Sequence, residues 1–199
     1  MTCDVIKNKL SMRMVQNCHI TFDNVIIDEC QKLPLAKDFV TSTNKILQHS
    51  RIFVCWMCAG VAVGVYDNVI KYASNRVQFG KPITSTTFFY LGFQLVQEKI
   101  VKIMSNTQAI LLLCFRISQL VDAGKARISQ IAMAKSFITE RLREVARWGR
   151  EVMGGNGIVH DNYLMRALAD AEAMYTYEGT YEINVLVTGR ELTGLAAFK

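Results

Sequence analysis

Ala171–Gly194 reads AEAMYTYEGTYEINVLVTGRELTG, and it sets one carboxylate, Glu178, at a break between two helical segments. Asp161 is placed to cap a helix running through Leu164, Leu168 and Met174. Gly179 interrupts that helix. Thr180 then caps a second segment with Ile183, Leu186 and Val187 on one face. A glycine beside a carboxylate lets a ligand approach the backbone closely, and the first N–H groups of the second helix are free for an anion or a carbonyl oxygen. Glu178 is therefore a candidate base next to an oxyanion-like donor. The competing reading is a surface turn carrying a solvated glutamate.

Upstream of this stretch the pattern is helical as far back as about residue 43. One segment covers residues 43–79, with Ile46, Ile52, Val54, Val61, Val65, Val69 and Tyr72 as apolar positions, and stops at Gly80 and Pro82. A second covers 91–121 and ends at Gly124, with Leu95, Ile100, Ile103, Met104, Ile110 and Leu113 at helical spacing. A third begins near Ala126 and ends at Gly154 and Gly155, its stripe marked by Ile128, Ile131, Ile138, Leu142, Val145 and Val152. Short connections make neighbouring helices antiparallel. The expected fold is mainly α, an up-and-down four-helix bundle with an added C-terminal helix. Residues 1–40 differ: MVQNCHITFDNVIID alternates loosely and is rich in β-branched residues, and QKLPLAK reads as a linker. The chain divides into an extended part, 1–40, and a helical part, 41–199.

Composition narrows the function. Hydrophobic residues make up 51% of the 199, with two prolines, which describes a folded globular chain. The longest apolar run, residues 52–66, is short of the roughly 20 residues that cross a bilayer, so no transmembrane segment is expected. The first twelve residues lack the apolar centre of a secretory signal. A net charge of +6 and a pI near 9.0 raise nucleic acid as a partner, but the 23 basic residues are scattered and form no basic block, so none is expected. Cys55 and Cys58 form an isolated CxxC in an apolar run with no histidine near, which reads as buried thiols in a reducing compartment and not as a metal site.

Two further runs carry chemistry. Arg76, in RVQFG, closes a long helix, where it is either a C-terminal cap or a phosphate ligand; a guanidinium suits phosphate oxygens. EVMGG, residues 151–155, is either a plain helix stop or a turn that brings backbone against a ligand. Arg51 lies 25 positions before Arg76, near the start of the same helix. A cation there runs against the helix dipole, and a bound anion or plain solvent exposure explains it equally well.

YTYEGTYEINVLVTGRELTG, REVMGGNGI and NRVQFGKP together resemble, in order and spacing, three motifs of the acyl-CoA dehydrogenase and acyl-CoA oxidase superfamily. With RMVQN near the start, the resemblance points most closely to the short-chain peroxisomal acyl-CoA oxidases of plants and to glutaryl-CoA dehydrogenase. It implies the C-terminal portion of such an enzyme: residues 1–40 as the end of a middle β-domain, 41–199 as the helical bundle domain, and the rest of the family's length upstream or on another chain. It implies FAD as cofactor, an acyl-CoA substrate, and a homodimer or homotetramer in which FAD is contacted across subunits. Glu178 becomes the catalytic base. It removes the α-proton while the β-hydride passes to the flavin, giving a trans-2-enoyl-CoA. Substrate cover strips it of water and makes it a stronger base. Arg76 would reach the partner's FAD pyrophosphate, and Glu151, Val152, Met153, Gly154 and Gly155 the adenine end. Gln94, Thr180 and Glu182 are further cofactor contacts, and Arg51 and Gly179 substrate contacts. Residues 84–90, TSTTFFY, read as an insertion relative to the family, and Glu151 stands where many members have Gln. No metal is implied, and the compartment is the mitochondrial matrix or the peroxisome. The alternative is a non-catalytic assembly protein that keeps the dimerising bundle.

Overall fold

The long first helix starts where a carboxylate satisfies its open end. Asp38 accepts from the Thr41 amide at 2.7 Å, and α1 then runs Phe39–Asn75 in the computed structural model, which describes residues 1–83 and 93–196. The expected insertion at 84–90 lies outside the described residues. Before α1 the chain makes one antiparallel hairpin, β1 (Thr2–Val5) with β2 (Cys18–Thr21), with Cys3 opposite Ile20 and Val5 opposite Cys18. A loose alternation over residues 14–28 thus yields a single four-residue strand.

α1 stops four residues short of the sequence reading. Its C-cap is Arg76, and RVQFGKP folds into a second hairpin, β3 (Val77–Gln78) with β4 (Lys81–Pro82). Phe79 (φ 52°) and Gly80 (φ 76°) are both left-handed, as a tight two-residue hairpin turn requires. The Ile83 amide donates to the Arg76 carbonyl at 2.9 Å, tying the hairpin to the helix end.

Helices α2 (Gln94–Asp122), α3 (Ile128–Val152), α4 (Tyr163–Thr176) and α5 (Tyr181–Thr193) follow. Direction can be read from contacts. Trp56, midway along α1, donates to Ser118, late in α2, while Tyr72, late in α1, donates to the Met153 carbonyl at the end of α3, where early α2 also docks, so α1 and α2 are antiparallel. Lys99, early in α2, pairs with Glu151 at the end of α3 at 2.8 Å. A Cβ on Gly149, near the end of α3, would meet Leu164 at the start of α4. The result is the up-and-down bundle with one added helix. The stripe of α3 is its centre: Ile131, Ile138, Leu142 and Val145 are fully buried, and α3 packs on α1, α2, α4 and α5. Asn162, not Asp161, holds the N-cap position of α4.

Some positions read as core face outward instead. Ile46, Leu95 and Met104 are exposed, as are Leu112 and Phe115 on α2. Over windows longer than the 15-residue run, α1 and α2 are each long and apolar enough to cross a membrane, a test that core helices of a bundle also pass. Cys55, Cys58 and Cys114 are buried, and their thiols are pushed up by that burial, Cys58 and Cys114 to about 12. Cys3 and Cys30, by contrast, are exposed.

Candidate active site

α4 and α5 are joined by four residues, and the backbone turns back at two consecutive left-handed positions, Glu178 (φ 56°) and Gly179 (φ 83°). A left-handed glutamate is uncommon and carries strain. The turn is held from behind by buried polar groups of three helices. Lys135 of α3, fully buried, donates to the carbonyls of Tyr175 at 3.4 Å, Tyr177 at 2.8 Å and Gly179 at 2.7 Å. Arg51 of α1, 3% exposed, donates from Nε to the Glu178 carbonyl at 3.1 Å. Asn184 of α5 donates to the carbonyls of Gly179 at 2.8 Å and Thr180 at 2.9 Å. Thr180 caps α5 through the Ile183 amide, as the sequence indicated.

With its carbonyls drawn inward, the turn leaves the Glu178 N–H without a hydrogen-bond acceptor among the described residues. The Glu178 carboxylate faces the other way, where Ser50 donates to Oε2 at 2.6 Å. It borders a cavity of about 830 Å³ lined by Leu10, Met12, Val15, Phe53, Val54, Met57, Thr176 and Tyr177. The far wall, residues 9–17, is docked on α4 by Asp170, which accepts from the Ser11 hydroxyl at 2.9 Å and the Met12 amide at 2.8 Å. Burial pushes the Tyr177 phenol up to about 12 and lowers the Arg51 guanidinium. The site is an acid at the mouth of an apolar slot with a free N–H beside it.

Arg51 and Gly179 sit in settings other than those expected of them. α1 begins twelve residues before Arg51, so Arg51 stands inside the helix and the dipole argument lapses. It is spent on the turn and not displayed to solvent. Gly179 is required by its φ, and a Cβ there would lie 3.1 Å from Arg51 Nη2 and 3.2 Å from Asn184 Nδ2. The crowding comes from the protein side of the turn.

The remaining cofactor candidates divide between two ends of the bundle. Thr180 and Glu182 open α5 beside Glu178, and the Glu182 carboxyl is held below its ordinary range by its own amide and the Thr180 hydroxyl. Arg76, Val152, Met153, Gly154 and Gly155 line one groove of about 370 Å³ with Tyr72, Gln78, Ile83 and Asn156. Gly154 is left-handed (φ 56°), and nothing lies within 4 Å of a Cβ built on either glycine, so the peptide is open to a ligand. Arg76 is the groove's only formal charge among the described residues. A basic fork, open glycine amides and the Asn156 and Tyr72 side chains fit a phosphate-bearing nucleotide. Glu151 is not part of that lining: its carboxylate binds Lys99, which keeps it below its ordinary range. Gln94 begins α2 and is likewise off the groove. From Arg51 to Asn75, 24 helical steps at 1.5 Å separate the two ends by about 36 Å.

Ser50, Lys135 and Asn184 escaped the sequence reading. Lys135 alone left a trace, a charged residue at stripe spacing between Ile131 and Ile138. Gly157 also went unread, although a Cβ there would sit 2.3 Å from the Arg150 carbonyl oxygen.

Comparison with known proteins agrees with this fold. Residues 40–193 match the family described as the acyl-CoA dehydrogenase, C-terminal domain. A relative in Rattus norvegicus, the mitochondrial short/branched chain specific acyl-CoA dehydrogenase, is 30% identical over 90% of this chain and 40% of its own length. A 3-(aryl)acrylate reductase of Clostridium sporogenes is 28% identical over 94% of this chain and 48% of its own. The crystal structure of a glutaryl-CoA dehydrogenase from Mycobacterium smegmatis in complex with FADH2 superposes with a TM-score of 0.91 at 30% identity, covering 100% of this chain and 49% of that one. The chain thus spans less than half the length of these relatives.

Proposed function

We propose, since this chain belongs to the acyl-CoA dehydrogenase family, whose C-terminal domain its residues 40–193 form and whose cofactor is FAD, that it provides the base for α,β-dehydrogenation of an acyl-CoA thioester to a trans-2-enoyl-CoA. The rest of the family's length, on this or another chain, completes the flavin and substrate sites. The observation that carries this reading is the Glu178 turn, with its carboxylate on an apolar cavity and its N–H unengaged.

The apolar cavity takes the acyl chain. The Glu178 N–H donates to the thioester carbonyl, which draws charge from the α-carbon. The carboxylate leaves the Ser50 hydroxyl, takes the α-proton and keeps it as the carbon–carbon double bond forms. FAD, when bound, accepts the β-hydride. Thr180 and Glu182 would help to hold the reacting end of the cofactor. Arg51 and Gly179 serve the substrate indirectly, by fixing the turn.

The Arg76 groove is some 36 Å from Glu178 along α1, too far to complete that same centre. It serves the nucleotide end of FAD in a second copy, with Arg76 on the pyrophosphate and Val152, Met153, Gly154 and Gly155 along the adenine. Gln94 and Glu151 flank it. The exposed apolar residues of α2, Leu95, Leu112 and Phe115, supply surface for that homodimer or homotetramer. Residues 1–40 are the end of the middle β-domain. The mitochondrial matrix or the peroxisome is the compartment, and the mitochondrial rat relative supports the former.

The test is an anaerobic visible spectrum of the protein, completed by its remaining half and loaded with FAD, before and after butyryl-CoA or glutaryl-CoA. Bleaching of the flavin band supports dehydrogenation, and readmitting air separates oxidase from dehydrogenase. Glu178→Gln should keep flavin and lose nearly all turnover. Full turnover by that variant refutes the base, and a protein that never binds flavin is an assembly protein.

A further inference from the structure

Lys135 is a buried cation that the proton transfer does not use. Its ammonium has three donors, and three carbonyls of the α4–α5 turn, those of Tyr175, Tyr177 and Gly179, take them. A fully buried ammonium is costly unless every donor is met. Here the acceptors come from alternate residues on either side of Glu178, two of them at the C-terminal end of α4, where a cation also interacts favourably with the helix dipole. We infer that Lys135 is a positioning residue: by pulling three carbonyls inward it fixes the left-handed Glu178–Gly179 pair, so that the carboxylate is held at the cavity and the N–H is left unengaged. This rests on Glu178 being the base.

Arg51 adds the fourth carbonyl, that of Glu178 itself. The two cations divide the work by position. Arg51 grips one peptide from α1, whereas Lys135 spans five residues of the turn from α3. Asn184 seconds it at Gly179. Without Lys135 the carbonyls of Tyr175 and Tyr177 lose that ammonium, and the strain that favours relaxation of Glu178 to an ordinary backbone conformation is then resisted by Arg51 and Asn184 without it.

The experiment compares Lys135→Met with Ile138→Val, a packing change three residues along α3 that removes no hydrogen bond from the turn. Hydrogen–deuterium exchange is read over peptides covering residues 175–184 and, as an internal control, 140–148. Lys135→Met should speed exchange in the turn by about tenfold or more while the 140–148 peptide keeps its protection, and Ile138→Val should do neither. In the flavin-loaded, completed enzyme, Lys135→Met should lower kcat about 100-fold with KM changed less than about threefold, the signature of a misplaced base. Turn exchange equal to that of Ile138→Val overturns the inference, as does a loosened turn with kcat intact. Should the unsubstituted protein show no turnover, the assigned reaction fails, and exchange alone decides whether Lys135 holds the turn. If Lys135→Met does not fold, Lys135→Gln, which can satisfy at most two of the three carbonyls, should give exchange between that of the native protein and that of an unheld turn; native-like exchange refutes the role.

Discussion

Gly149 sits where α1, α3 and α4 cross. A Cβ there would lie 2.6 Å from Val65 Cγ1, 2.6 Å from Leu164 Cδ1 and 3.3 Å from Val69 Cγ2. All three neighbours are fully buried, and Val65 and Val69 are β-branched, so they have little rotamer freedom with which to retreat. Gly149→Ala must therefore push α1 or α4 outward, an overpacking cost of about 1–3 kcal/mol. It also gains about 0.5–1 kcal/mol of helix propensity, which leaves a net loss of about 0–2.5 kcal/mol. In a chain of this size 1 kcal/mol moves Tm by about 2–4 °C, so a fall of up to about 10 °C is expected. The control is Gly60→Ala, within the same bundle in α1, where nothing lies within 4 Å of the new methyl. There only propensity acts, and Tm should rise by about 1–4 °C. Calorimetry or thermal circular dichroism reads both. Opposite signs support the crossing; a Gly149→Ala rise equal to that of Gly60→Ala would show that the three helices do not meet there.

Further expectations concern charge and thiols. Burial lowers Lys135 from 10.5 to about 8, so between those values the unfolded chain binds more protons than the folded one and the Lys135 contribution to stability rises with pH. The buried thiols and Tyr177, all pushed up, act in the opposite sense above pH 9; in a comparison of native with Lys135→Met, Cys114 and Tyr177 are common to both, and Cys55 and Cys58 lose the lowering influence of Lys135 in the variant, which moves the difference in the same direction. That stability difference should shift in favour of the native chain by up to about 1.4 kcal/mol per pH unit across the window, and a flat difference in urea titrations refutes the burial of the ammonium. Arg76→Gln should weaken FAD retention about tenfold or more and make the remaining binding less sensitive to salt; unchanged retention on ultrafiltration removes Arg76 from the nucleotide site. A thiol reagent should modify Cys3 and Cys30 in the native protein, and Cys55, Cys58 and Cys114 only after unfolding.

Local signals in the chain carried the fold well. The stripe of α3, the Thr180 cap and the glycine break after Glu178 each depend on residues within a few positions, and each stands where the periodicity put it. The end of α1 was misread because Val77 and Phe79 continue the apolar rhythm, whereas the hairpin depends on two positive φ values that spacing does not reveal. The site was half legible. A carboxylate beside a glycine advertises itself, but Ser50 and Arg51 reach it from 127 or 128 residues away and Lys135 contacts the turn across 40–44, and no local pattern encodes such pairings. Glu151 shows the converse: adjacency to the glycine turn suggested a ligand contact, yet Lys99 on α2 claims it.

The grip of Lys135 and Arg51 on one short turn also orders the events of folding. Helices α1 and α3 can form from local contacts, but the turn at Glu178 has no such means to adopt a left-handed glutamate. Its conformation waits on loop closure over the long separations that bring α1 and α3 to the end of α4. A partly folded chain that has its helices but not these long-range contacts would therefore still lack an aimed base.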